Sequence, residues 1–166
     1  LTPLEGSALA TPVSIVFVIL GDMRFFVLVE RRARPTSSLL VVALVALSWA
    51  LVVPVFSYVA GLALPSLASP VRMTYLTYEL AFLALALALR FVVLPRRLAK
   101  APAPARDFLL SLASFEAIQY ALWASADVVI LAGYDAGFAL RLVPNTMYYA
   151  LFLPFVLWRG PAPLFD

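Results

Sequence analysis

The chain has 166 residues, 64% of them hydrophobic and only 13% charged, roughly half the charged share of a soluble domain. Such a chain cannot keep a water-facing surface, which makes it an all-α integral membrane protein. Cysteine and histidine are absent, excluding disulfides, iron–sulfur clusters and the usual zinc and haem ligands, and the formal charge of +3 matters less than where the arginines fall.

The opening stretch LTPLEGSALAT carries no basic segment and does not read as a cleavable signal peptide. Five apolar segments follow, each near the ~20 residues that a spanning helix needs. The first covers residues 12–29 and ends in ERRARP. The second covers 38–64 and ends in PSLASP, and the third covers 73–94 and ends in PRRLAKAPAPAR. The fourth covers 108–131 and ends in GYDAG, and the fifth covers 138–158 and ends in RGPAPLFD. Lipid offers no partner to an open backbone, so each segment predicts a helix. The expectation is a single transmembrane domain over 1–166, a bundle of five transmembrane helices.

Alternate threading puts ERRAR, RRLAK and Arg159 on one side, while the other side holds Glu5, Arg72 near a membrane edge and Asp135. The positive-inside rule then places the N-terminus outside and the C-terminus in the cytoplasm. The expected location is a bacterial or archaeal cytoplasmic membrane. RFFVLVERRARP at 24–35 resembles RFVVLPRRLAKAP at 90–102. A duplicated helical hairpin explains that echo, and so does the chance recurrence of a few residue types at helix ends.

The polar residues inside the apolar segments are the functional signal. With a rise of 1.5 Å per residue, Asp22 lies about 15 Å into the first helix, with Arg24 beyond it. Glu116, with Gln119 one turn on, lies about 15 Å into the fourth. Glu79 and Asp127 lie about 10 Å from the outer end, with Arg141 shallower and Asn145 deeper. Two layers are expected: Asp22, Arg24, Glu116 and Gln119 at the midplane, and Glu79, Asp127, Arg141 and Asn145 towards the outside. Glu116, Gln119, Trp123 and Asp127 share one stripe of their helix, as do Arg72, Tyr75 and Glu79. A charge at the centre of a spanning helix costs about 2.5–3.5 kcal/mol, so such groups turn inward and pair or meet a ligand. Four deep carboxylates face two deep arginines, Arg24 and Arg141, while Arg90 can snorkel to the cytoplasmic edge. Pro54 is expected to interrupt the second helix, and Pro144 and Pro154 the fifth.

The leading expectation is binding or transport of a small solute, ion or proton through this polar interior. The alternatives are a non-catalytic subunit of a larger membrane complex, and an intramembrane enzyme using carboxylate acid–base chemistry on a lipid or isoprenoid. No metal site and no cofactor is expected. The single lysine, Lys100, lies in a polar loop and cannot carry a retinal Schiff base within the membrane. The expected partners are membrane lipid and either further copies of the chain or a membrane complex, with no nucleic acid.

Overall fold

The computed structural model describes residues 10–161, with side chains from residue 16 onward. The stretch at 1–9, with Glu5, and the last part of the C-terminal end, at 162–166, lie outside the described residues. Among the described residues the chain is all helical, without strands. Five helices follow in order: α1 (Ala10–Ala33), α2 (Leu39–Ala63), α3 (Val71–Arg97), α4 (Ala103–Leu131) and α5 (Ala136–Arg159). All but α2, which lies within its expected segment, run past the apolar segment that predicts them. α1 continues through Glu30, Arg31 and Arg32, and α3 through Arg96 and Arg97. Glutamate and arginine are good helix formers, so hydrophobicity marks only the part of each helix suited to lipid.

Among the described residues, α2, α3 and α5 are long and apolar enough to cross a membrane. Their outward faces are strongly apolar: Leu39, Leu62, Phe91, Leu153 and Leu157 are all more than 60% exposed. Large apolar side chains exposed on long apolar helices are compatible with a hydrocarbon surround. α4 has a more polar composition, with Glu116, Gln119 and Asp127 all buried.

The chain divides into two compact units, Leu1–Val55 and Phe56–Asp166, and the division falls just after Pro54 within α2. In the first unit, α1 buries Phe25, Phe26, Leu28 and Val29, and α2 buries Val42, Ala46, Ala50 and Val53. The α2 residues recur every three or four positions, one face of a helix. Phe26 stacks on Trp49, with ring centroids 6.1 Å apart. The turn between the helices is held by Arg31, which donates to the carbonyls of Pro35 and Ser37 at 3.1 and 3.2 Å. Ser38 caps α2 by accepting the backbone N–H of Val41.

In the second unit α4 lies between α3 and α5 and packs along both. Phe82 of α3 stacks on Tyr120 of α4, with centroids 4.0 Å apart. On α5's side Trp123 meets Tyr148, and Phe115 stacks on Phe155 at 4.7 Å. The α4–α5 connection is a Schellman turn. The N–H of Tyr134 bonds to the carbonyl of Val129, that of Gly133 bonds to Ile130, and Gly133 takes a φ of 87°. Four residues later Gly137 presses against α4, where an added Cβ would lie 2.7 Å from the carbonyl oxygen of Ala126 and 2.8 Å from the amide nitrogen of Ile130.

Pro54 differs from the expectation and sits inside a continuous α2. α5 is irregular ahead of its prolines, as expected, and Pro144 itself lies within the helical turn Leu142–Thr146. Two π segments occur, Leu89–Val93 in α3 and Met147–Leu151 in α5. Each ends just ahead of a proline, Pro95 or Pro154. A proline ring clashes with the carbonyl four residues back, here Phe91 or Ala150, and a widened π turn moves that carbonyl aside. α5 also has a single-residue break at Arg141.

Candidate functional site

The strongest concentration of buried charge joins α3, α4 and α5. Asp127, wholly buried on α4, accepts hydrogen bonds from two arginines: a close one from Arg141 of α5 and one at 3.4 Å from Arg72 of α3. Arg141 also reaches Glu79 of α3 at 3.3 Å. Arg141 thus bridges the two carboxylates, and Arg72 adds a second donor to the same Asp127 oxygen, Oδ1. The Arg72 guanidinium lies over the rings of Tyr75 and Phe138, 5.6 and 5.5 Å from their centroids. Both rings can hold a cation by cation–π attraction.

The helices dictate this meeting. Arg72 and Glu79 are seven residues apart, two turns along one face of α3. Gly137 brings the start of α5 against α4 beside Asp127, and Arg141 follows one turn later, its backbone N–H bonded to the Gly137 carbonyl. The guanidinium therefore starts from a backbone already in close contact with α4.

One turn along the α4–α5 seam, Trp123 donates its indole N–H to the Asn145 side-chain oxygen at 2.8 Å. Tyr120, Trp123, Tyr148 and Tyr149 continue the seam as a run of touching rings. Within this unit four of the expected residues thus lie together: Glu79, Asp127 and Arg141 in the cluster, with Asn145 beside it. Glu116 and Gln119 are buried on the same helix as Asp127, about 16 and 12 Å along its axis. Asp22, also buried, and the half-buried Arg24 belong to α1 in the other unit.

Arg72 corrects the expected charge balance. Placed at the membrane edge, it leaves the outer carboxylates in excess. Reaching inward, it gives the cluster two arginines for two acids. A second group outside the expectation is Glu30, wholly buried although it belongs to the basic ERRAR run, and paired with Arg34 at 3.2 Å.

Several polar atoms in the second unit are buried without a hydrogen-bond partner: Oε2 of Glu79, Oδ2 of Asp127, and both amide atoms of Gln119. An unpartnered polar atom out of water costs about 1–3 kcal/mol. The free carboxylate oxygens are acceptors, so a hydrogen donor or a cation complements them. Among the described residues, no group of three or more acidic side chains is arranged to hold a metal ion.

No family model matches the chain, and neither a curated protein nor a solved structure gives a significant match.

Proposed function

We propose that the protein is a polytopic membrane protein that binds or passes a small hydrogen-donating solute, a cation or a proton through the polar interior of its α3–α4–α5 unit. The observation that carries this reading is the pair of bridged carboxylates, Glu79 and Asp127, each with one oxygen on an arginine and the other buried without a donor. Such an arrangement is costly as a mere clasp, because a clasp is best when every lone pair is met. It suits a site whose remaining acceptors are met by a guest. Arg141 and Arg72 fix the carboxylates in place, Asn145 and Trp123 border the site, and Gln119 and Glu116 supply further polar groups along α4.

In this reading all five helices cross the membrane. The N-terminus lies outside and the C-terminus in the cytoplasm, a reading supported by the clustering of ERRAR, RRLAK and Arg159. A pathway through so small a bundle is completed by further copies of the chain or by a partner subunit.

The test is flux in reconstituted vesicles, with a pH-sensitive dye trapped inside and small labelled cations supplied outside. Wild type is expected to dissipate an imposed gradient faster than empty vesicles. Glu79→Gln and Glu116→Gln are each expected to slow it about tenfold, the loss of one charge-assisted contact. Asp22→Asn tests the α1 carboxylate separately. Unchanged flux in all three variants, or no flux above empty vesicles in wild type, overturns the reading.

A further inference from the structure

A second polar feature lies at the opposite end of the same unit, away from the charge cluster. Arg90 donates its Nε–H to the Ser114 hydroxyl at 2.9 Å, and Arg159 donates from Nη2 to the Ser111 hydroxyl at 3.3 Å. The serines are three residues apart and share a face of α4. Each hydroxyl proton is already committed to its own helix, Ser111 to the carbonyl of Asp107 at 2.7 Å and Ser114 to that of Leu110 at 3.0 Å. The oxygens therefore accept from the arginines and hold them along α4.

Each guanidinium has five N–H donors and gives only one to serine. Among the described residues neither Arg90 nor Arg159 is paired with a carboxylate. The two arginines and two serines line an open groove of about 350 Å³, whose other walls are Phe115, Ile118 and Phe155. Ile118 is 55% exposed, and the neighbouring Phe91 and Leu157 exceed 60%. Uncommitted guanidinium donors thus sit directly beside an apolar wall.

We infer that this groove binds the phosphate of an anionic phospholipid, with the headgroup between Arg90 and Arg159 and an acyl chain along Phe115, Ile118 and Phe155. Arginine matches phosphate oxygens with paired N–H groups, and basic pockets between membrane helices recognise anionic headgroups in this way. A free phosphate ion offers the same oxygens but nothing for the apolar wall, which is why a lipid is the occupant. The site is independent of the charge cluster and of what that cluster carries.

The experiment is native mass spectrometry of the full chain released from detergent containing equal amounts of phosphatidylglycerol and phosphatidylcholine. Wild type is expected to retain the anionic lipid over the zwitterionic one by roughly fivefold or more. Arg159→Gln and Arg90→Gln are each expected to bring the ratio close to one, and Lys100→Gln, which removes one positive charge from the nearby loop, to leave it unchanged. Arg159 is exposed at the end of α5, so its variant tests the site even where Arg90→Gln impairs folding. Equal losses in Lys100→Gln and Arg159→Gln would show diffuse attraction and overturn the site. Displacement of the lipid by millimolar inorganic phosphate would overturn the lipid as its occupant.

Discussion

Trp123 and Asn145 are joined by a 2.8 Å hydrogen bond, and each lies four residues from a member of the Asp127–Arg141 pair. The antiparallel helices α4 and α5 therefore present two polar rungs one turn apart, one neutral and one ionic. The neutral rung fixes the rotation of α5 about its axis and so fixes the direction from which Arg141 approaches Asp127.

Replacing Trp123 by Phe keeps most of the ring packing but removes the donor. The expected loss is about 1 kcal/mol, the usual net worth of such a bond plus a partly stranded Asn145. Asn145→Leu in that background is expected to recover part of it, since no acceptor is then left unmet. Denaturant unfolding in micelles, followed by circular dichroism, checks both values.

Removing Arg141 alone is expected to be far more damaging. Arg141→Gln leaves Glu79 and Asp127 buried with Arg72 as their remaining cation, at an expected cost of about 3–5 kcal/mol. The double variant Asp127→Asn with Arg141→Gln is expected to lose less than the sum of the single changes, with a coupling of about 1–3 kcal/mol. Additive losses in the same unfolding assay would mean that the two side chains do not act as a pair.

The α4–α5 turn contains two glycines needed for different reasons. Gly133 has open space around its absent Cβ but a positive φ, so Gly133→Ala is expected to cost about 1 kcal/mol and Gly133→Asn less. Gly137 has the opposite problem, a Cβ position inside the backbone of α4. Gly137→Ala and Gly137→Asn are both expected to cost about 1–3 kcal/mol, by overpacking. Melting temperatures of the four variants separate the two mechanisms, because only at Gly133 does asparagine outperform alanine.

Arg72→Lys tests the third side of the cluster. Lysine keeps the charge but loses the planar guanidinium that lies over Tyr75 and Phe138 and donates through Nη1 to Asp127. A loss of about 1 kcal/mol is expected in the unfolding assay. Arg72→Ala is expected to cost more, because it also removes a cation from buried Asp127.

The sequence made some of this architecture legible. Hydrophobicity marks all five helices, with ends at most five residues from those expected, because a long apolar run has few alternatives to a helix. The stripe on α4 from Glu116 through Trp123 to Asp127 follows from helical spacing, as does the proximity of Arg72 to Glu79 on α3. What the spacing left open was how far a long side chain travels from its Cα. Arg72 lies near a helix start, where water and the interior are equally within reach, and only the tertiary positions of Phe138 and Asp127 turn it inward. The serines of the second groove were invisible for a related reason. A serine in an apolar helix commonly bonds its own backbone four residues back, as Ser111 and Ser114 do, and nothing local shows that an arginine from another helix uses the remaining lone pairs. Proline was legible as a perturbation but not as to its form, since a kink and a widened turn relieve the same clash.

The π turn at Met147–Leu151 is in effect a one-residue insertion, and it sets the angular phase of α5. Residues before it, Arg141 and Asn145, keep the phase that faces Asp127 and Trp123. Residues after it are set back by about 100° relative to an unbroken α-helix, the angle of one residue, and that offset points Arg159 towards Ser111. The two ends of α5 are thus indexed separately, like two gears on a slipped shaft. Deleting one residue from this turn would let it close to an ordinary α turn with both ends of the helix still facing their partners, whereas forcing the same residues into α geometry would keep the charge cluster meshed and rotate Arg159 off its serine.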